Sequence, residues 1–266
     1  MDDKDETLLL LCGAPQSLGS DACGEKVDMD FEGLLQRFYE RLLRPGDNAL
    51  DVGAHSGRHA VPMAKVVSAN AMGGRVYAFE PIPRVREYFL QRMRDEAIPE
   101  DVVQLLPFAL SDHDGHAEFV VALDRPEESG LKVRIYNGPT RLERIAVQTR
   151  SLDGLALPID SLRFIKVDCE GAEYSVLKGA KQTIARFRPV IAFEFGLNSC
   201  LAYGIQPKDM FGLVECNGYK VFDILGNELS CASFVQTCES GRVWDFVATP
   251  REQLPGVGQL LDPGVA

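Results

Sequence analysis

Apolar runs of strand length alternate along this chain with segments whose apolar residues recur at helical spacing. That alternation is typical of βαβ units, in which helices connect neighbouring strands of a mostly parallel sheet. Helices are expected over residues 59–67, 84–96 and 172–186, and the last two strands are expected to form an antiparallel edge. The runs that we interpret as strands are 48–52, 75–79, 102–110, 162–168, 190–194, 219–224 and 242–248.

Residues 117–149 interrupt this rhythm with short alternating runs, which we interpret as a β-rich insertion within one larger domain, 29–250. Residues 1–28 are expected to form an N-terminal arm, and the Pro- and Gly-rich residues 251–266 a C-terminal tail. The chain has 266 residues, of which 45% are hydrophobic, and this is enough to form the core of one α/β domain.

The charge and cysteine content exclude several classes of protein. A net charge of −11 opposes binding to a polyanion, so no nucleic acid partner is expected. The seven cysteines lack the close paired spacing of a structural zinc site and are expected to be reduced thiols. No apolar run approaches the ~20 residues of a membrane span, and the run at residues 8–12 is too short for a signal peptide. We therefore expect a cytoplasmic protein without a membrane partner.

A glycine turn, Asp51-Val52-Gly53-Ala54-His55-Ser56-Gly57, follows the first strand. Glycines let a ligand approach the backbone, and the N-terminus of the next helix presents free N–H groups that suit the carboxylate of a methionine moiety. A strand-to-helix turn without a ligand is the alternative. The spacing departs from Gly-x-Gly-x-x-Gly, which counts against a nicotinamide-dependent dehydrogenase.

Two further strand ends carry candidate binding residues. Glu80 ends the second strand, where an acid can accept hydrogen bonds from both hydroxyls of a ribose. Residues 108–112 end the third strand and offer an apolar wall for adenine, with Ser111 and Asp112 as polar partners for its amino group. The alternatives are a solvated acid at Glu80 and an ordinary strand-to-loop sequence at 108–112.

The block Lys166-Val167-Asp168-Cys169-Glu170-Gly171-Ala172-Glu173 concentrates charge at the end of a strand that is expected to be buried. Charge in such a place is costly unless it is paired or used. The structural alternative is that Glu173 serves the first turn of a helix and that Lys166 pairs with Glu170.

The order of these motifs resembles that of FkbM-type methyltransferases, over roughly residues 45–250. The resemblance implies a Rossmann-like class I methyltransferase fold, S-adenosylmethionine as the methyl donor, and mainly hydroxyl acceptors on sugars, polyketides or other metabolites. It also implies that Asp51, Gly53 and Glu80 line the cofactor and that Asp168 lies near the transferred methyl group. The matching segments are Asp51-Val52-Gly53-Ala54, Phe79-Glu80-Pro81, Ala109-Leu110-Ser111-Asp112, the block 166–173 and Phe193-Glu194.

An alcohol must lose its proton on methylation, so a general base should lie within about 2.6–3.2 Å of it or act through one water. Asp168 and Glu194, at the ends of adjacent strands, are the leading candidates, with His55 and His59 as alternatives. The two carboxylates also suit a divalent cation, although we expect no metal. We therefore expect O-methylation of a small molecule or sugar. The alternatives are methyl transfer to nitrogen or to a macromolecule, and a non-enzymatic S-adenosylmethionine-binding scaffold.

Overall fold

The computed structural model describes residues 30–136, 138–257 and 260. In chain order the elements of these residues are α1 (Phe31–Leu42), β1 (Asn48–Val52), α2 (Ala60–Val67), β2 (Arg75–Phe79), α3 (Pro83–Asp95), β3 (Val103–Leu106), β4 (Phe108–Leu110), β5 (Gly115–Ala122), β6 (Leu142–Arg150), β7 (Phe164–Val167), α4 (Glu173–Lys178), α5 (Lys181–Phe187), β8 (Val190–Glu194), α6 (Leu197–Cys200), α7 (Pro207–Cys216), β9 (Tyr219–Asp223), β10 (Glu228–Leu229), α8 (Cys231–Ser240), β11 (Asp245–Pro250) and α9 (Leu254–Val257).

Eight of the strands form one sheet in the order β10-β9-β11-β8-β7-β1-β2-β3. Strands β8, β7, β1, β2 and β3 are parallel, and β11 inserts antiparallel between β8 and β9. The predicted α/β fold, with a mostly parallel sheet and an antiparallel edge, is therefore confirmed. Because all the parallel strands end at one edge, their C-terminal residues meet there.

Helices cover both faces of this sheet, which buries its central strands. On one face, α1, α2 and α3 contribute Phe38, Met63 and Phe89 to a core that also contains Phe164 of β7. On the other face, α4, α5, α7 and α8 pack against β7, β8 and β11. Helix α1 was not among the predicted helices, although its buried residues Leu35, Phe38, Tyr39 and Leu42 recur at helical spacing. Asp30 caps this helix by accepting a hydrogen bond from the Gly33 N–H.

The prediction of a single third strand over residues 102–110 is wrong. It divides at Pro107 into β3, which joins the large sheet, and β4, which joins a second sheet. Proline has no N–H to donate to a sheet ladder, so the chain can leave one sheet there and enter another.

The predicted helix 172–186 is also divided, into α4 and α5. A Cβ on Gly179 would lie 2.1 Å from the Ser111 carbonyl oxygen, so the backbone passes close to a neighbouring loop at this point. The side chain of Asp153 then accepts hydrogen bonds from the N–H groups of Gln182 and Thr183 and caps the start of α5.

The β-rich insertion is confirmed as a three-stranded sheet, β4-β6-β5. Strands β5 and β6 pair antiparallel from Gly115 opposite Thr149 to Ala122 opposite Leu142. Buried side chains of this sheet form a small core of their own with Ile82 and Val85. The insertion is thus a folded layer beside the large sheet.

The predicted N-terminal arm, 1–28, lies outside the described residues. Part of the predicted C-terminal tail is folded, because α9 follows β11 and its Val257 is buried. Five cysteines fall within the described part of the chain, and all five are free thiols. Among the described residues, none of the helices is both long and apolar enough to cross a lipid bilayer.

Candidate functional site

A pocket opens at the sheet edge where β1, β2 and β7 end. It contains about 540 Å³ of empty space, including the part open to solvent. The large sheet contributes Gly53, Glu80 and Asp168 to its lining, and β4 contributes the apolar wall Phe108–Leu110. The fold therefore brings together residues that lie more than a hundred positions apart in the sequence.

The turn after β1 is built on a close approach of two backbones. Gly53 has φ +79°, and a Cβ at this position would lie 1.7 Å from the Asp168 carbonyl oxygen. No side chain fits there, and the conformation itself favours glycine. Gly57 also has φ +79°, but its neighbours are Phe89 and Val61, so it is packed against the core and is not part of the pocket lining.

Glu80 holds this turn from the end of β2. It is 4% exposed, and its two carboxylate oxygens accept hydrogen bonds from the N–H groups of His55 (3.0 Å) and Ile82 (2.8 Å). Burial raises the pKa of Glu80 to about 7, although these two hydrogen bonds favour the carboxylate. A carboxylate offers about four lone-pair sites, so Glu80 keeps room for two further donors.

His55 lies in the pocket with an unusual backbone conformation for a non-glycine residue, φ 45°. Its Nε2 atom is buried and has no hydrogen-bond partner in the structure. Burial lowers the pKa of His55, so its ring is neutral at pH 7. His59, the other histidine considered as a base, is enclosed under α1, where it contacts Glu32 and Tyr39.

Besides Gly57, three residues expected at the cofactor lie outside the pocket lining. Asp51 is fully buried beneath the turn. Ser111 is bonded through its N–H to the Arg150 carbonyl, and Asp112 is paired with Lys178 at 2.8 Å. Direct contact of Asp51, Ser111 or Asp112 with a cofactor therefore stays a prediction from the sequence.

The loop after β7 is shaped by Glu173. Its Oε1 accepts hydrogen bonds from the N–H groups of Cys169 (2.7 Å) and Gly171 (3.1 Å), while Glu170 adopts φ 55°. A Cβ on Gly171 would lie 2.5 Å from the Ser199 carbonyl oxygen, so this loop passes close to the segment after β8. Glu173 thus lies in the first turn of α4, as the structural alternative held, and orders the loop that carries Glu170.

Carboxylate oxygens of Asp168, Glu170 and Glu194 all lie within 4.8 Å of one another. Burial opposes ionisation of Asp168, but the charge of Lys166 and hydrogen bonding outweigh it and hold the pKa of Asp168 at about 2. Burial, followed by the Asp168 charge, raises the pKa of Glu194 well above its usual value and that of Glu170 to about 9. These shifts favour the ionised form of Asp168 and the protonated forms of its two neighbours.

Two cationic side chains contact this cluster. Lys166 Nζ lies 3.0 Å from Asp168 Oδ2, so the structural alternative in which Lys166 pairs with Glu170 is wrong. Glu170 instead pairs with Arg134 of the insertion. Because the chain itself supplies these cations, the geometry does not call for a metal to offset the charge, and the absence of a metal requirement stays a prediction.

Arg134 was not predicted from the sequence, because no pattern in the insertion indicates a contact with Glu170, 36 residues further along the chain. Its neighbours fix the same segment over the sheet edge: the Ile135 N–H donates to the Asn198 carbonyl, and Lys132 lies over the Tyr203 ring. Ser129 and Leu131 line the pocket. The insertion therefore covers the carboxyl edge of the sheet.

We expect the Glu173→Gln variant to lose less stability with rising pH than the wild type. Burial raises the pKa of Glu173 from 4.5 to about 7. Its contribution to stability is thus full below about pH 4.5 and is lost as the pH rises through 7. Between about pH 5 and 8, urea unfolding should show a wild-type loss that exceeds the variant's by up to about 3 kcal/mol.

Glutamine keeps the oxygen that accepts both N–H groups, so the loop geometry is preserved. The control is Glu143→Gln on the exposed side of β6, which should follow the wild-type pH profile. If the free energies of unfolding of Glu173→Gln and wild type followed the same pH dependence, the raised pKa of Glu173 would be contradicted.

Comparison with known proteins identifies the family of this chain. The model of the methyltransferase FkbM domain matches residues 51–221, more than half of the chain. Over 165 residues the chain is 26% identical to the 2-O-methyltransferase NoeI of Sinorhizobium fredii, a match that covers 55% of this chain and 63% of NoeI.

Solved structures are similar in fold at low identity. Methyltransferase FkbM from Methylobacillus flagellatus KT is 15% identical, with a TM-score of 0.48 over 83% of this chain and 55% of that one. SMU.1697c from Streptococcus mutans, solved in complex with SAH, is 11% identical, with a TM-score of 0.47 over 81% and 95% of the two chains. From the extent of the family match, the chain belongs to the FkbM methyltransferase family, and this membership implies S-adenosylmethionine as its cofactor.

Proposed function

We propose that this protein transfers a methyl group from S-adenosylmethionine to a hydroxyl group of a small molecule or sugar. The observation that carries the proposal is the ionised Asp168 at the end of β7, which lines the same pocket as the Gly53 turn and Glu80. One cavity thus contains both Asp168, an acid able to accept the hydroxyl proton, and the Gly53 turn, which lines the same pocket.

The residues of the pocket fit the donor. Glu80 retains lone pairs for two ribose hydroxyls, and Phe108–Leu110 form an apolar wall suited to adenine. The buried His55 Nε2 has no partner in the protein and can bond to a bound ligand. S-adenosylmethionine, when bound, supplies an electrophilic methyl group.

The role proposed for Asp168 is to orient the acceptor hydroxyl and to take its proton. The O–H group donates to the Asp168 carboxylate, which leaves an oxygen lone pair free for attack. As the O–C bond forms, the oxygen becomes a much stronger acid than Asp168, so even a carboxylate with a pKa of about 2 can accept the proton. Burial and the Asp168 charge favour the protonated form of Glu194, and the hydrogen bond between the two side chains favours the charge on Asp168.

Several observations favour a hydroxyl of a small molecule. The chain carries a net charge of −11, which opposes a nucleic acid substrate. The insertion over the sheet edge narrows access to Asp168. A relative, NoeI, is named a 2-O-methyltransferase. Methylation of nitrogen or of a macromolecule, and a binding scaffold without turnover, are the competing functions.

The acceptor class is tested by the position of a labelled methyl group. Full-length protein is incubated with methyl-labelled S-adenosylmethionine and a library of hydroxylated metabolites and sugars, and the products are examined by mass spectrometry and NMR. We expect an O-methyl ether. A label on nitrogen, protein or nucleic acid would refute O-methylation, and donor binding without any labelled product would favour the scaffold.

Glu80→Gln should weaken binding of S-adenosylhomocysteine by about 1–3 kcal/mol, because ribose hydroxyls bond more strongly to an ionised carboxylate than to an amide. Glu80 has a pKa of about 7, so wild-type affinity should also increase as the pH rises from about 6 to 8. Calorimetry of the variant should show little of this pH dependence.

The matched control is Glu87→Ala on the exposed face of α3, for which affinity should not change. Equal affinities for wild type and Glu80→Gln at every pH would remove Glu80 from the donor site.

Asp168→Asn should keep the fold and donor binding while reducing turnover by roughly 10²–10⁴, the range for losing acid–base help. The measurement is the rate of methyl transfer to the acceptor identified in the library, with S-adenosylhomocysteine affinity as a check on the pocket. Asp160→Asn, at an exposed loop position before β7, serves as the control. Turnover within a few-fold of wild type would assign Asp168 a structural role.

A further inference from the structure

A buried lysine lies between two acidic side chains beneath the pocket. Lys166 on β7 is directly opposite Asp51 on the parallel strand β1. Asp168 lies two residues beyond Lys166, on the same side of the chain. As a result, Lys166 Nζ is 3.0 Å from Asp168 Oδ2 and 3.9 Å from Asp51 Oδ1. The lysine therefore contacts an acid of the pocket on one side and an acid of the core on the other.

Burial distinguishes the two acids. The Asp51 side chain is 1% exposed, no side chain forms a hydrogen bond with its carboxylate oxygens, and the Ala60 backbone is the one hydrogen-bonding influence on it among the described residues. The Asp168 side chain is 26% exposed and lines the pocket. A buried charge is costly unless it is compensated: burial, the largest influence on Asp51, raises its pKa, while Lys166 is the strongest influence opposing that rise. Asp51 and Lys166 thus depend on one another beneath the pocket.

We propose that Lys166 is a positioning residue that fixes the Asp168 carboxylate at the pocket, and that Asp51 anchors Lys166 from the neighbouring strand. This assigns Asp51 a place in the reaction site that needs no direct contact with a ligand. The proposal concerns the state of Asp168 and holds whichever acceptor is methylated.

Other titratable groups face this trio from the elements packed against it, and acids predominate among them. They include Glu32 and Tyr39 on α1, His55 in the turn after β1, His59 just before α2, Glu80 at the end of β2, Glu170 in the loop after β7 with its partner Arg134, Glu173 on α4, Glu194 on β8 and Asp245 on β11. Without Lys166, Asp168 would lose its direct cationic partner. The loss of an adjacent opposite charge disfavours the ionised form of a buried carboxyl.

The charge states agree with this arrangement. Burial opposes the charged form of Lys166, but Asp168 and Asp51 together raise the lysine pKa above its usual value. Lys166 in turn favours the ionised form of Asp168 against the cost of burial.

The test is a carboxyl titration of full-length ¹³C-labelled protein by NMR, in which the Asp168 signal is assigned by its loss in Asp168→Asn. Four proteins are compared: wild type, Asp51→Asn, Lys166→Met and the double variant Asp51→Asn/Lys166→Met. The single Lys166→Met change leaves two uncompensated acids, and the double variant restores the balance between Asp51 and Lys166 if the single variant fails to fold. Circular dichroism verifies the fold of each.

In wild type and in Asp51→Asn, Asp168 should titrate below 3.8, its usual value, because Lys166 is present in both. In the double variant the midpoint should rise by about 1–3 pH units relative to Asp51→Asn, the effect expected for losing an opposite charge at this distance. Equal midpoints in Asp51→Asn and the double variant, or a wild-type midpoint near 3.8, would overturn the proposal.

Discussion

The contact between the Gly53 backbone and the Asp168 carbonyl sets the geometry of the whole sheet edge. A side chain at Gly53 would overlap that carbonyl, so the turns after β1 and β7 can lie side by side only with glycine at this position. Glu80 then holds the first turn through His55, and Glu173 orders the second through Cys169 and Gly171. Two buried carboxylates that accept backbone N–H groups thus fix both walls of one pocket.

Charge is distributed unevenly around that pocket. Lys166 contacts Asp168 from within the large sheet, and Arg134 contacts Glu170 from the insertion. Ionising three neighbouring carboxyls in a buried place is costly, so Asp168 favours the ionised form while Glu170 and Glu194 favour the protonated form. Of three chemically similar side chains, only an ionised one can accept a proton.

Much of this could be predicted from the sequence, because strands such as 48–52, 75–79 and 190–194 are short apolar runs bounded by turns, and the structure reproduces their limits. Their parallel arrangement then required Glu80 and Asp168 to meet at one edge. The division at Pro107 could not be predicted, since it depends on where a second sheet forms. Nor could the partners of Lys166 and Glu170, which are set by strand register and by the path of the insertion.

The small sheet β4-β6-β5 allows one side of the pocket to change independently of the other. It has its own core, and the segment between β5 and β6 carries Arg134, whereas Gly53, Glu80 and Asp168 directly follow strands of the large sheet. Mutations that accumulate between β5 and β6 can therefore reshape the covered side of the pocket without disturbing the central strands. Lineages that share one sheet edge can in this way come to accept different compounds.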